Sequence, residues 1–164
     1  MNQRLSFFIP GVPAPGGSKR FVGIGKKTKR AILVDAAGQK NKDWRTAVGW
    51  AAHEHFKGEV LTGALRVTFT FFMPRPKGHH GKRGLLPSAP AFPITRPDAL
   101  KLARSTEDAL TGIVWRDDAQ VVDGGQKKRY ADSCSAGCLV EIEELASHPF
   151  DTAPNTTRAN PHLI

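Results

Sequence analysis

The stretch PDALKLARSTEDALTGIVWRDDAQVVD, residues 97–123, holds both the pattern of the fold and its unusual chemistry. Ala99, Leu102, Ala103, Thr106, Ala109 and Leu110 recur at the three-and-four spacing of an amphipathic helix, with Leu100, Lys101, Arg104, Glu107, Asp108 and Thr111 on the opposite side. The helix is expected from about Pro97 to Thr111, with Thr95 or Asp98 placed to cap it and Gly112 to end it. Asp117 and Asp118 then fall in a turn before a strand expected at about 121–130. Six carboxylates, Asp98, Glu107, Asp108, Asp117, Asp118 and Asp123, lie within the 26 residues from Asp98 to Asp123 of a chain whose formal net charge is +9.

Working outward, ALRVTFTFFMP alternates Leu65, Val67, Phe69, Phe71 and Met73 against Arg66, Thr68 and Thr70, a strand of period two that stops at Pro74. From Gln39 to Phe56, Trp44, Ala47, Val48, Ala51, Ala52 and the stem of His55 share one helical face. Short strands are expected around Leu5–Ile9, ended by Pro10 and Pro13, and around Cys138–Glu143. The segment GGSKRFVGIGKKTKRAILVD reads as a hairpin or a long mobile arm with charged sides. RPKGHHGKRGLLPSAPAFPITRP has no period and reads as an exposed loop of about 20 residues, functional or disordered. The sum is a small single-domain α+β chain, a mixed sheet with two main helices over residues 1–145, followed by a frayed tail at 146–164.

Several function classes drop out. No apolar run approaches the roughly 20 residues of a membrane span, and the N-terminus lacks a secretory h-region, so a cytoplasmic protein is expected. Cys134 and Cys138 are spaced C-x3-C, neither a zinc ribbon nor a disulfide framework, and read as inert thiols. GIGKKT lacks the Gly-Lys-Ser/Thr end of a Walker loop, so no nucleotide cofactor is expected. His53 and His55, two apart on a helix, point away from each other and make no metal pair. No aromatic-rich strand supports RNA binding.

Charge is unevenly spread: residues 1–104 hold 19 Lys and Arg against 5 Asp and Glu, a net of +14, and residues 105–164 hold 5 against 10, a net of −5. A basic surface of that size favours a polyanion, nucleic acid above all. Each acid has a structural reading of its own: Asp98 as a cap, Asp117 and Asp118 as turn residues, Glu107 and Asp108 as partners of Arg104 or Lys101. Together they fit poorly on a surface meant only to hold phosphate, because like charges repel one another and the DNA. A hard divalent cation such as Mg2+ removes the objection, since it binds oxygen ligands and bridges carboxylate to phosphate.

The same residues resemble the signature of the RusA family of Holliday junction resolvases: an Asp-x-Asp-Asn start, a Lys one turn on, then DAL and DDAQVVD. The close match covers about residues 96–123, with looser agreement at FFIPGVPAPGGSKR. The resemblance implies a homodimer that binds four-way DNA junctions and makes paired nicks with Mg2+, or Mn2+ in its place. Carried over by position, the catalytic acids fall on Asp98 and Asp118, with Asp117 beside the latter as a flanking ligand, and the catalytic Lys falls on Arg104. The family's second helix Asp is Leu100 here and the Asn after it is Lys101, so a ligand is missing. Glu107, seven residues on and on the same face, is the first candidate to replace it, and Asp108 the second. Lys19, Arg20, Lys26, Lys27, Lys29 and Arg30, with Lys77, Lys82 and Arg83 of the loop and Lys101, are expected to hold the DNA arms. The alternative reading is a structure-selective branched-DNA-binding protein whose catalysis was lost with the Leu100 change.

Overall fold

A computed structural model describes residues 4–16, 19–35 and 38–146, without the side chains of 19–21 and 32–35. The expected tail at 146–164 lies, from residue 147 on, outside the described residues. Among the described residues eight strands and two helices follow in chain order: β1 (Arg4–Pro10), β2 (Lys19–Ile24), β3 (Ala31–Asp35), α1 (Gly38–His55), β4 (Leu65–Met73), β5 (His80–Gly81), β6 (Gly84–Leu85), α2 (Ala99–Leu110), β7 (Val121–Tyr130) and β8 (Gly137–Glu144). The architecture is the expected α+β fold with a mixed sheet, ordered β1-β8-β4-β7. β8 runs antiparallel to both β1 and β4, whereas β7 runs parallel to β4, with α2 lying on the crossover between them.

The alternation read in β4 is realised: Leu65, Val67, Phe69, Phe71 and Met73 are all buried, facing Cys138, Val140 and Ile142 of β8 and Phe7 and Ile9 of β1 in one core. The helices close that face with Trp44, Val48, Ala51 and Ala52 from α1 and Leu102 and Leu110 from α2. Fully burying each large apolar side chain contributes about 1.5–3 kcal/mol, so the sheet face and the two helix stripes depend on each other.

Polar contacts fix how the helices meet. Asn41 of α1 is buried, its Nδ2 donating to Pro15 O at 2.9 Å and to Ser105 Oγ at 2.6 Å. Trp44 Nε1 donates to Thr106 Oγ1 at 3.0 Å, which in turn donates to Leu102 O. His55, expected to bury its stem, is exposed and stacks on Phe7 with ring centroids 5.8 Å apart.

The basic segment forms the hairpin alternative: β2 and β3 pair antiparallel around a turn carrying Lys26, Lys27, Lys29 and Arg30. Lys19 and Arg20 lie on β2, but their side chains are outside the described set. The loop after β4 corrects the expectation of a stretch without structure. It contains a 3-10 turn at Lys77–His79 and the β5–β6 hairpin, whose tip is Lys82 and Arg83.

Candidate active site

α2 and β7 bound an open groove with a cavity of about 670 Å³. Its wall includes Leu100, Arg104, Glu107 and Asp108 from α2, Asp118 from the turn before β7, and Val122 to Gln126 from β7 itself. The helix supplies Leu100, Arg104, Glu107 and Asp108 because their spacing puts them on one side, while Leu102, Ser105, Thr106 and Leu110 are buried behind them.

Asp118 enters the groove through a turn built by its two neighbours in the DDAQ run. Asp117 caps a 3-10 turn at Asp118–Gln120, its carboxylate accepting from Ala119 N at 2.8 Å. Gln120 spends both ends of its amide. Its Oε1 accepts from Arg116 N and Asp117 N at 2.9 Å each, while its Nε2 donates to Leu61 O at 3.0 Å and Gly63 O at 2.9 Å. The turn bearing Asp118 is thereby tied to the segment that leads into β4.

β7 starts with an irregularity opposite Leu65 and Arg66, which pushes Val122 outward to 63% exposure. Gly124 follows with φ +135°, and a Cβ there would overlap the Val67 carbonyl. Only glycine allows the strand to pass this close to β4.

The electrostatics separate the six acids. Asp123 is taken by Arg66, whose Nε donates at 2.6 Å, and that hydrogen bond holds its carboxyl below the usual range. Asp108 sits 3.9 Å from Arg45 on α1, not from Arg104 or Lys101. Asp98 occupies the N-cap position of α2 without a side-chain cap bond, and pairs with Lys101 at 3.6 Å. It is not among the residues lining the groove.

Glu107 and Asp118 form no ion pair among the described residues. Half-buried Glu107 has its carboxyl pushed above the usual range, first by burial, then by the negative charges of Asp118 and Asp108. The groove therefore brings Arg104, Glu107 and Asp118 together, while Asp98, two residues before Leu100 at the head of α2, does not line it and Asp117 caps the turn. Among the described residues no three His, Cys, Asp or Glu side chains gather as a metal cluster. The all-oxygen donor pair of Glu107 and Asp118, neither of them in an ion pair among the described residues, still fits Mg2+, which is commonly held by one or two carboxylates with water and phosphate completing its shell.

Leu100, 69% exposed, stands in the groove where the resemblance called for an acid. Sequence reasoning missed Gln120 and Lys128. Lys128 lies on β7 and donates from Nζ to Thr95 O and Pro97 O at 2.8 Å each, holding the start of α2. Neither contact leaves a periodic signal, although the Gln inside an acidic turn is itself a hint that the turn needs an amide.

A family model described as endodeoxyribonuclease RusA matches residues 10–143. The chain is 28% identical over 101 residues to the uncharacterized protein YqaN of Bacillus subtilis (strain 168), a match covering 57% of this chain and 68% of YqaN. No helix among the described residues is long and apolar enough to cross a membrane. With most of its length matched by that model, from the end of β1 to the end of β8, the chain belongs to the RusA endodeoxyribonuclease family.

Proposed function

We propose that this protein is a divalent-metal-dependent endonuclease that resolves four-way or other branched DNA junctions, working as a homodimer that makes paired nicks. The observation that supports it most is the meeting of Arg104, Glu107 and Asp118 in one open groove on a chain with net charge +9. Glu107 and Asp118 hold Mg2+, or Mn2+ in its place, and Glu107 thus takes over from the acid that Leu100 displaces. A cation bound there supplies Lewis-acid stabilisation of charge on the phosphodiester and eases deprotonation of water.

The chain's own residues do the rest. Arg104 places a fixed positive charge beside the developing phosphorane and cannot act as an acid at useful pH. Asp117 and Gln120 hold the turn so that Asp118 keeps one orientation. Asp98, the acid that the family pattern assigns to catalysis and metal binding, pairs with Lys101 at the head of α2, and Lys101 binds phosphate. Lys19, Arg20, Lys26, Lys27, Lys29 and Arg30 of the β2–β3 hairpin, with Lys77, Lys82 and Arg83, hold the arms. Two active sites related by a twofold axis match the symmetry of a four-way junction.

A second reading has one specific observation behind it: the exposed Leu100 in the groove suits a protein that binds junctions without cutting them. The test is cleavage of a labelled four-way junction with Mg2+ or chelator by wild type, Asp118→Asn and Glu107→Gln. Nicking confined to wild type with metal supports the enzyme and the substitute ligand. Tight binding without nicks under Mg2+ and Mn2+ overturns the enzyme and leaves the binding protein.

A further inference from the structure

We propose that the lobe between β4 and α2 is a fixed DNA-contacting ribbon whose tip, Lys82 and Arg83, binds phosphates of a double-stranded arm, and that Arg75 is the positioning residue that latches it. The inference rests on the nuclease reading and adds how an arm is held.

Residues 74–97 contain Arg75, Lys77, Lys82, Arg83 and Arg96 and no Asp or Glu, so the lobe has charge of one sign. Lys77, Lys82 and Arg83 are all exposed. The hairpin pairs His80 with Leu85 and Gly81 with Gly84, leaving the two cations at its turn. Glycines flank the tip: Gly84 has φ +108°, and a Cβ at Gly81 would press on Leu86 at 2.9 Å. A two-stranded ribbon without side chains beside its tip is slim enough to lie against a DNA groove and reach its bordering phosphates.

The lobe is anchored, which a surface loop of this composition does not require. The Arg75 side chain is only 5% exposed. Its Nε and Nη2 donate to the two carboxylate oxygens of Asp132, on the β7–β8 connection, at 2.6 Å each. Nη1 donates to Pro90 O at 2.9 Å across the lobe. The guanidinium lies 3.8 Å over the Tyr130 ring, and His79 meets that ring edge-on with centroids 5.7 Å apart. Arg129 lies 5.0 Å from the Phe92 ring, and Lys128 holds the carbonyls of Thr95 and Pro97. The planar fork of Arg75 thus joins three chain segments, a task that the point charge of a lysine does not perform.

Two consequences follow. A tip ordered before DNA arrives escapes the backbone entropy that a mobile loop loses on binding. The lobe also leaves β4 at Met73, where β7 ends at Tyr130, while Asp118 precedes the other end of β7. Ten strand residues span about 30 Å, so the tip touches an arm and not the cleaved phosphate.

The experiment measures binding of a fluorescent four-way junction and a linear duplex across salt concentrations, for wild type, Lys82→Gln/Arg83→Gln and Arg75→Met/Asp132→Asn, all full length. The tip variant is expected to weaken both DNAs and to reduce the slope of log K against log salt by about 1.8, two phosphates' worth. The latch variant keeps the net charge and both tip cations, yet is expected to lose about tenfold in affinity, the cost of re-ordering one or two residues. Its cleavage rate at saturating junction should stay at the wild-type value, a split that general misfolding does not produce. Arg75→Lys, which retains charge but not the fork, is expected to fall between and serves if the double variant does not fold. An unchanged salt slope in the tip variant overturns the contact, and wild-type affinity in the latch variants overturns the positioning role. A wild type that neither binds nor cuts junctions overturns the nuclease reading instead.

Discussion

Replacing Gln120 by Glu changes one amide nitrogen to oxygen and leaves the size of the side chain unaltered. One oxygen can still accept from Arg116 N and Asp117 N, but the other now faces the Leu61 and Gly63 carbonyls at the 3.0 and 2.9 Å that were donor distances. Two hydrogen bonds disappear, each contributing about 1 kcal/mol, and a carboxylate is set against two carbonyl dipoles. The expected loss is about 2–3 kcal/mol, a fall in Tm of about 4–10 °C for a domain of this size. Escape of the turn from β4 moves Asp118, and a displacement of about 1 Å at such a group costs about a hundredfold in rate. Thermal melting and single-turnover junction cleavage at saturating Mg2+ read the two effects. A variant that melts within a degree of wild type and cuts within twofold of it would refute the idea that Gln120 positions Asp118.

Three further outcomes are expected. Gly124→Ala forces a Cβ onto the Val67 backbone at positive φ, so it should destabilise by several kcal/mol or prevent folding, as read by denaturant titration. Glu107→Gln should raise the Tm of the metal-free protein at pH 7. Its raised carboxyl pKa means that the folded state holds a proton more tightly, so the wild type's handicap is absent below the ordinary glutamate value of 4.5 and develops as pH rises through the folded value. Added Mg2+ should reverse that order, because wild type gains more from the bound ion. Lys128→Met removes both bonds to the Thr95 and Pro97 carbonyls and should speed amide exchange in the first turn of α2 while leaving that of β8 unchanged.

Much of the fold was legible because it rests on local periodicity. The alternation of Leu65 to Met73, the helical spacing of Ala99 to Leu110, and the break at Gly112 placed β4 and α2 within two residues. β7 lies where expected, at Val121–Tyr130, although its second residue is bulged. Strand order was not legible, since nothing in a strand's own sequence says that β7 pairs parallel with β4 at the sheet edge. Long-range polar contacts were equally hidden: nothing local in the sequence says that Asn41 meets Ser105 and Pro15, and Arg75 reads as loop charge until Asp132 and Tyr130 arrive.

The site was half legible. Spacing put Glu107 and Arg104 on the Leu100 side of α2, and the groove contains all three. The turn acids divide their work in a way that only the hydrogen bonds reveal, Asp117 as cap and Asp118 facing the groove. Asp98 carries the weight of the family pattern; it occupies the N-cap position of α2 two residues before Leu100 and pairs with Lys101, while helix spacing sets it about 13 Å of rise from Glu107.

The most direct measurement is mapping of nick positions on all four strands of a synthetic junction, beside the matching linear duplex, incubated with wild-type protein and Mg2+. Symmetric nicks are expected in two opposing strands of the junction, none in the duplex, and none with chelator. A protein that binds the junction with high affinity and leaves every strand intact under Mg2+ and Mn2+ would contradict the nuclease reading.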